Sequence, residues 1–379
     1  MSSDYRYWHM YNRRSIKQLE SLLTTEKQTY VVDLHIHTNW SADGEQSVVE
    51  VIQRARELNL DVIAITDHDS VGSYTELPEI LRSFATTVQH TPIVLTGIEF
   101  TVRYDDYGDM CHILKYGINP QSQPILSAVE HNESAFWNRA RIQFQRVSQN
   151  PTLRMLSKRL RFTFTLDEYG EYLTRCTVSV PEYPTLISYI HSKIAVHNIY
   201  LGELFRSAMT DAVRDACEPR REMKLEALQR FEKKYSNLFN SADYPARVLS
   251  PILATPGIDD DDFTEYLPSG NLSVRNYGQL SISDLPDEGI TVFAHPSGNR
   301  LHLMSDAVSN INIQGIELNH LNRHANVDDV SRTAGDLDVF LTRGSDNHGP
   351  RYASYENMEF YQMPARDLQR LYQALSVRI

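Results

Sequence analysis

The sequence predicts an α/β fold in which a barrel of parallel strands is interrupted by a large, mainly helical insertion. Short β-branched or aliphatic runs recur from residue 30 onward. The segment between the first two runs has apolar residues at the spacing of a helix. The runs stop after Pro120 and resume only at Ile290, leaving a long interval of charged, amphipathic segments that is typical of helices. With 379 residues, the chain is long enough to bury the core of such a barrel.

Seven strand-like runs follow a polar lead-in helix, and each run ends in or carries polar residues. The runs are VVDLHIH (31–37), VIAITDHD (62–69), IVLTGIEF (93–100), MCHILKYGI (110–118), ITVFAHPSG (290–298), IQGIELNH (313–320) and LDVFLTRGSDNHG (337–349). Apolar residues at helical spacing between Val48 and Leu58 predict a helix, which makes the first two strands parallel. A second helix is predicted over Thr75–Thr86.

This pattern divides the chain into four segments. They are a lead-in helix (1–29), the first part of the barrel (30–120), the helical insertion (121–285) and the second part of the barrel (286–379). The insertion ends in a loop-rich stretch with the acidic run Asp259–Asp262 and the turn PSGN at 268–271. The acidic run lacks the spacing of a calcium loop, so we interpret it as a solvated loop.

Composition narrows the classes of function. A formal charge of −12 and a pI near 5.6 argue against a surface that coats nucleic acid as a whole, although a local basic patch remains compatible with a polyanion. The three cysteines, Cys111, Cys176 and Cys217, are far apart and suggest neither a disulfide framework nor a thiolate zinc site. No segment has the apolar character of a signal peptide or membrane span, so we expect a cytoplasmic protein.

Imidazoles and carboxylates accumulate near the ends of the strand-like runs. They are His35, His37, Asp43, Asp67, His68, Glu99, His112, His295, Asp346 and His348. Because the carboxyl ends of parallel barrel strands meet on one face, these groups should converge there. Nitrogen and oxygen donors of this kind favour Zn, Mn or Fe over calcium.

The number of these donors exceeds what one ion takes, which indicates two or three divalent ions bridged by a carboxylate such as Glu99 or Asp346. A site with several ions can activate water near neutral pH and hold both the attacking and the leaving oxygen of a phosphoryl transfer. The residues therefore predict a metal-dependent reaction on a phosphate ester.

The ordered motifs HxH with a following SxDG, then ITDHD, GIE, HIL, AHP and GSDNH, resemble the polymerase and histidinol phosphatase (PHP) family over residues 30–118 and 290–350. The resemblance implies a hydrolase of phosphoric esters, a distorted (β/α)7 barrel and a trinuclear metal site. The implied ligands are His35, His37, Asp43, His68, Glu99, His112, His295, Asp346 and His348. Asp67 and His348 are the candidate catalytic residues. We expect Asp67 to act by orienting a neighbouring imidazole, and we expect Asp33 to have the same role.

The insertion resembles, more loosely, the helical subdomain of small-molecule phosphatases in this family. By that resemblance Arg139, Arg141 and His191 are candidate substrate contacts, with a solvated helix face as the alternative for the arginines. No acid occurs between Glu133 and Asp167, while seven basic residues accumulate there: Arg139, Arg141, Arg146, Arg154, Lys158, Arg159 and Arg161. The stretch is either an anion-steering surface or an ordinary solvated face around a core stripe of aromatic residues.

Three functions remain open at this stage. The first is hydrolysis of a phosphomonoester in a nucleotide or similar small metabolite, with a metal-bridging hydroxide as the attacking group. The second is a phosphodiesterase or exonuclease on short nucleic acid that the basic stretch guides. The third is a noncatalytic module in which metal ions only stabilise the barrel and the helical insertion binds a partner protein. Residues beside the motif ends, among them Glu317, Asn319, Arg300, His302, His320 and Arg351, are further candidates for substrate contact.

Overall fold

The chain forms two compact units. The computed structural model describes residues 3–41, 43–85, 90–104, 109–175, 181, 183–214, 220–249, 252, 277–296, 311–319, 327–349 and 358–379. One unit consists of Met1–Ser134 with Gly278–Ile379, and the other of Ala135–Tyr277. The predicted acidic loop at 259–262 and the turn at 268–271 lie outside the described residues. None of the helices in the described ranges combines the length and apolar character that crossing a bilayer requires.

The first unit contains one sheet in the order β7-β6-β5-β4-β3-β2-β1-β8. Its strands are β1 (Thr29–Ile36), β2 (Val62–Ile65), β3 (Ile93–Tyr104), β4 (Asp109–Tyr116), β5 (Ile290–Phe293), β6 (Gly315–Asn319), β7 (Phe340–Gly344) and β8 (Gln362–Pro364). The backbone of His37 donates to Asn347 O, and that of Asp346 donates to His35 O, so β1 also meets the segment after β7. The sheet is thus a nearly closed barrel, which confirms the predicted α/β barrel with a helical insertion.

Eleven α-helices occur in the described part of the chain. They are α1 (Ser3–Leu23), α2 (Val48–Glu57), α3 (Leu77–Phe84), α4 (Gln123–Gln149), α5 (Pro151–Leu160), α6 (Leu166–Arg175), α7 (Tyr183–Ala195), α8 (Leu201–Arg214), α9 (Arg220–Lys234), α10 (Val327–Asp336) and α11 (Ala365–Arg378). Helix α2 begins with a capping box in which Ser47 and Glu50 satisfy each other's backbone N–H groups. Both helices predicted between the first three strands are present.

Two features of the sheet differ from the predicted all-parallel arrangement. Strand β4 is antiparallel to both β3 and β5, because only residues 105–108 separate it from β3 and a parallel connection needs a dozen residues or more. The eighth strand, β8, pairs antiparallel with β1. It has only three residues and ends in Pro364, so its sequence gives no recognisable strand signal.

Separate clusters of buried apolar side chains support the two units. In the barrel unit, Ile63 and Ile65 of β2 pack with Val51 and Ile52 of α2. All four residues of β2 are buried, as expected for a parallel strand that is covered on both faces. The helical unit has its own core around aromatic side chains such as Tyr169. Each unit therefore has an apolar core of its own.

Candidate metal centre

All nine predicted ligands lie in described residues of the barrel unit, and the structure brings them together. His35, Glu99 and His112 are within β1, β3 and β4, whereas the others follow strand ends: His37 and Asp43 after β1, His68 after β2, His295 after β5, and Asp346 and His348 after β7. Carboxyl ends of parallel strands share one face of a barrel, so residues from distant parts of the chain become neighbours.

The carboxylate of Glu99 is the centre of this cluster. Its Oε2 atom lies 3.0 Å from His35 Nε2 and 3.1 Å from His37 Nε2. The same oxygen lies 3.1 Å from His68 Nδ1. Glu99 is fully buried, and a buried carboxylate needs positive or hydrogen-bonding partners on every side.

The second oxygen of Glu99 faces the other side of the cluster. Glu99 Oε1 lies 3.1 Å from His112 Nδ1 and 3.1 Å from His295 Nε2. Strand β4 reaches this position although it runs antiparallel, because side chains alternate along the strand and His112 faces Glu99. Glu99 therefore has the geometry of a bridging carboxylate.

The remaining donors follow β1 and β7. Asp346 Oδ1 lies 3.3 Å from His35 Nε2 and 3.2 Å from His37 Nε2. Asp43 Oδ2 lies 3.1 Å from His348 Nε2. The backbone carbonyl of Asp346 contacts His348 Nδ1 at 2.8 Å, which directs the opposite ring nitrogen, Nε2, toward Asp43.

The donors form three overlapping sets whose ligand atoms all lie within 4.8 Å of one another. The sets are His37, Asp43, His68 and His348; His35, His37, Glu99 and Asp346; and His68, Glu99 and His112. His295 belongs to none of the three sets, yet its Nε2 contacts the Oε1 atom of Glu99. The cluster can thus hold metal ions, with shared residues between neighbouring positions.

The donor chemistry fits divalent metal ions. Two ring nitrogens, His35 Nε2 and His37 Nε2, face each other at 3.0 Å with no other hydrogen-bonding role than the shared carboxylates. Atoms that bind one ion at about 2.1 Å lie about 3.0–3.4 Å apart, which is the spacing seen here. In addition, Asp43 Oδ1 is buried and has no hydrogen-bond partner in the described part of the chain.

The electrostatics of the cluster favour bound positive charge. Burial would raise the pKa of Glu99, but the surrounding imidazoles, His35 first among them, hold that pKa well below its ordinary value. Burial would lower the pKa of His37, yet hydrogen bonds to Asp346 and Glu99 raise it to about 10. Burial lowers the pKa of His68 to about 3, so this imidazole is a neutral donor. Ionised carboxylates in a buried site attract cations.

Glu317 on β6 supports the cluster from behind. Its Oε1 lies 2.9 Å from His35 Nδ1, and its Oε2 accepts a 2.8 Å hydrogen bond from the backbone N–H of His295. Gly344 makes room for this arrangement, because a Cβ atom there would lie 2.1 Å from Glu317 Oε1 and 2.4 Å from His35 Cβ. The interpretation of Glu317 as a substrate contact was therefore wrong: the side chain is buried against a ligand.

Asp67 does not touch the ligand atoms. Its carboxylate accepts hydrogen bonds from Thr38 N at 2.6 Å and from Ser41 Oγ at 3.1 Å. Ser41 Oγ lies 2.9 Å from His37 Nδ1 and accepts a 2.8 Å hydrogen bond from the backbone of His68. Asp67 thus acts on the imidazoles through Ser41, a residue whose role the SxDG motif had not revealed.

Backbone strain accompanies the cluster. His295 and Asp346 have φ angles of 26° and 53°, a region that side chains other than glycine rarely adopt. Asp33 accepts hydrogen bonds from the backbone of His35 at 3.3 Å and of Ser345 at 2.9 Å, so it joins β1 to the segment that carries Asp346. Strained residues of this kind concentrate at functional sites.

The predicted substrate contacts belong to the helical unit. Arg139 stacks on the rings of Phe136 and Tyr277 and donates from Nη2 to Pro181 O, whereas its buried Nε has no hydrogen-bond partner among the described residues. Arg141 is exposed on α4. His191 is partly buried on α7, with its ring centroid 5.3 Å from that of Tyr244.

The other candidates for substrate contact are residues beside the motif ends. Arg300, His302, His320 and Arg351 lie outside the described residues, whereas Asn319 is buried at the end of β6. Glu317 lies in GIEL, which repeats the GIEF pattern around Glu99 and so indicates a buried glutamate without revealing its role.

Comparison with known proteins supports the interpretation of the motifs. A model of the PHP domain family matches residues 33–280. An uncharacterised protein of Methanocaldococcus jannaschii is 40% identical over 72 residues, which cover 18% of this chain and 33% of that protein. A 3′,5′-nucleoside bisphosphate phosphatase of Chromobacterium violaceum is 33% identical over 97 residues, which cover 26% of this chain and 30% of that protein. The matched segments span about a third of each relative's length.

A candidate metal-dependent phosphoesterase of Bifidobacterium adolescentis has a similar fold, with a TM-score of 0.53 at 18% identity over 92% of this chain and 96% of that chain. The family model matches well over half of the chain, so this protein belongs to the PHP domain family. The resemblance inferred from the motifs is thereby confirmed.

Proposed function

We propose that the protein is a metal-dependent hydrolase of phosphoric esters that removes a phosphate from a nucleotide or similar small metabolite. The observation that carries this proposal is the position of Glu99, whose two carboxylate oxygens face five imidazoles at the spacing of metal ligands. Similarity to a 3′,5′-nucleoside bisphosphate phosphatase supports the substrate class.

The nine donors would hold two to three ions of Mn, Zn or Fe. His35, His37 and Asp346 would bind one ion beside Glu99 Oε2. Asp43, His68 and His348 would bind a second, and His112 with His295 a third beside Glu99. When bound, such ions supply Lewis-acid charge for an attacking water and for the phosphoryl oxygens.

Residues of the chain itself prepare the site for this chemistry. Glu317 orients the His35 ring through Nδ1, leaving Nε2 toward the centre. Ser41 and Asp67 orient His37 in the same way, so Asp67 is a positioning residue rather than a catalytic one. His348, the other candidate catalytic residue, has its Nε2 atom 3.1 Å from Asp43 Oδ2, which supports a role as a metal ligand. Arg139, Arg141 and His191 stay predictions as phosphate contacts.

A hydrolysis screen tests the proposal. Purified protein with added Mn²⁺ should release phosphate from nucleoside bisphosphates or monophosphates, and His37→Ala should lower the rate by at least about a thousandfold because it removes a donor shared by two of the sets. His131→Ala is the matched control, since among the described residues the side chain of His131 hydrogen-bonds to Gly278 O and to none of the candidate ligands. Its rate should equal that of the wild type.

Other outcomes distinguish the remaining functions. Shortening of oligonucleotides without phosphate release from mononucleotides would replace the first proposal with a phosphodiesterase. Bound metal without turnover of any phosphoester, together with a stable protein partner, would favour a noncatalytic module. The cytoplasmic location also stays a prediction, which rests on the scattered cysteines.

A further inference from the structure

Helix α5 presents a row of positive side chains in an otherwise acidic protein. Residues 134–166 contain seven basic and no acidic residues, whereas the whole chain carries a formal charge of −12. Within this stretch Arg154, Lys158 and Arg161 are exposed. Their i, i+4, i+7 spacing places them along one face of the helix and its C-cap, over about 10 Å. We call these three residues the basic strip.

Packing of the opposite helix face holds the basic strip toward solvent. Leu153 and Leu156 are buried in the core of the helical unit. The neighbouring cation Arg159 is already paired with Glu203 of α8. None of the ion pairs between described residues includes a member of the basic strip. Its three charges are therefore available to an external anion, with no ion-pair partner among the described residues to displace.

A partly buried ring and an exposed ring lie near the C-terminal end of α5. Phe162, directly after the basic strip, stacks on His197 with ring centroids 5.6 Å apart and an interplanar angle of 25°. Tyr200, three residues after His197 in the sequence, is 54% exposed. It lies between His197 and Glu203, which contact Phe162 and Arg159, so the segment that carries Tyr200 passes near the C-terminal end of α5.

We propose that the basic strip and Tyr200 bind single-stranded nucleic acid. Cations in a row contact successive phosphates, while an exposed ring stacks on a base, and this combination is how single strands are bound without sequence preference. The formal charge of −12 disfavours a polyanion over the surface as a whole, so its binding requires a local cluster of cations such as the basic strip. This binding goes beyond the proposed function, because it needs none of the metal ligands.

Fluorescence anisotropy with a labelled oligothymidylate of about twelve nucleotides tests the strip. The full-length protein is titrated in EDTA, so hydrolysis cannot interfere. We expect binding that weakens as salt rises. The triple variant Arg154→Ala, Lys158→Ala, Arg161→Ala should bind more weakly and reduce the slope of log K against log salt by about 2, since each phosphate contact on a single strand contributes about 0.7.

A second triple variant separates local from overall charge. Arg13→Ala, Arg14→Ala, Lys17→Ala removes three exposed cations from α1 in the barrel unit, with the same change in net charge. It should bind the oligonucleotide like the wild type. Equal weakening in both variants, or no weakening in the strip variant, would overturn the proposal.

Tyr200→Ala distinguishes a nucleic acid from other anions. Loss of base stacking should weaken oligothymidylate binding at least about fivefold and leave binding of inorganic polyphosphate unchanged. If polyphosphate or anionic phospholipid vesicles compete as well as the oligonucleotide, the assignment to nucleic acid is wrong. Phosphate release by the strip variant is measured in parallel with Mn²⁺, so that failure of the proposed hydrolysis and failure of this binding are separate results.

Discussion

Substitution of Glu317 by glutamine tests whether the residues behind the ligands determine metal affinity. The carboxylate accepts two contacts, from His35 Nδ1 at 2.9 Å and from His295 N at 2.8 Å. An amide has one oxygen, so it can satisfy only one of them. If the oxygen faces His295, the amide N–H group forces the His35 proton onto Nε2, the atom that faces the centre. If the amide oxygen faces His35, the amide N–H group faces the backbone N–H of His295, and two donors meet without an acceptor between them.

The first orientation requires the Nε2 proton to leave before an ion can bind there, and the second leaves a buried N–H group unsatisfied, which costs about 1–3 kcal/mol. We therefore expect Glu317→Gln to weaken metal binding by roughly 5- to 150-fold, which overlaps the range of about 10- to 100-fold for residues that orient metal ligands. The assay is titration calorimetry of metal-stripped protein with Mn²⁺, together with the rise in melting temperature on metal addition.

Glu288→Gln is the matched control. Glu288 Oε1 accepts one hydrogen bond, from Asn119 N, and glutamine can retain that contact. This variant should bind Mn²⁺ like the wild type. An unchanged affinity in Glu317→Gln, or an equal loss in both variants, would refute the argument that Glu317 positions His35.

Two further predictions concern stability. Gly344→Ala should weaken metal binding and lower the free energy of unfolding by roughly 1–3 kcal/mol, because the added methyl group overpacks Glu317. Gly335→Ala on α10 is the control: a Cβ there meets no atom within 4 Å, so this variant should raise the free energy of unfolding by about 0.5–1 kcal/mol. Urea unfolding measures both. Burial lowers the pKa of Lys115 from 10.5 to about 8. Its contribution to stability is present above pH 10.5 and is lost as pH falls through 8, so Lys115→Met should gain up to roughly 3 kcal/mol over the wild type between pH 10 and pH 7. A pH-independent difference would contradict this.

The strands of the barrel were predictable because their signals are local. Runs such as VIAI are short, apolar and flanked by turn residues, and the helix after Ser47 has both its cap and its apolar spacing in sequence. The antiparallel direction of β4 was harder to predict from the sequence. It depends on a connection too short for a crossover, which overrides the expectation that alternating strands and helices form a parallel barrel.

The roles of the residues behind the ligands depend on pairs that are distant in sequence. Ser41 acts on His37 from four residues away, but Glu317 meets His35 across 282 positions and Asp33 meets Ser345 across 312. Such pairs exist only once the sheet is nearly closed. A buried glutamate in an apolar run has the same sequence signature whether it binds a metal, supports a ligand or contacts a substrate.

The sequence by itself determined the donor chemistry and the family. Imidazoles and carboxylates recur at strand ends in one order, and that order is visible in the sequence alone. Only the tertiary structure showed that Glu99 lies between the imidazoles, that Glu317 supports His35, and that Arg139 stacks on aromatic rings. The physical reason is that a side chain's type is encoded locally, whereas its partners are set by how distant strands pair.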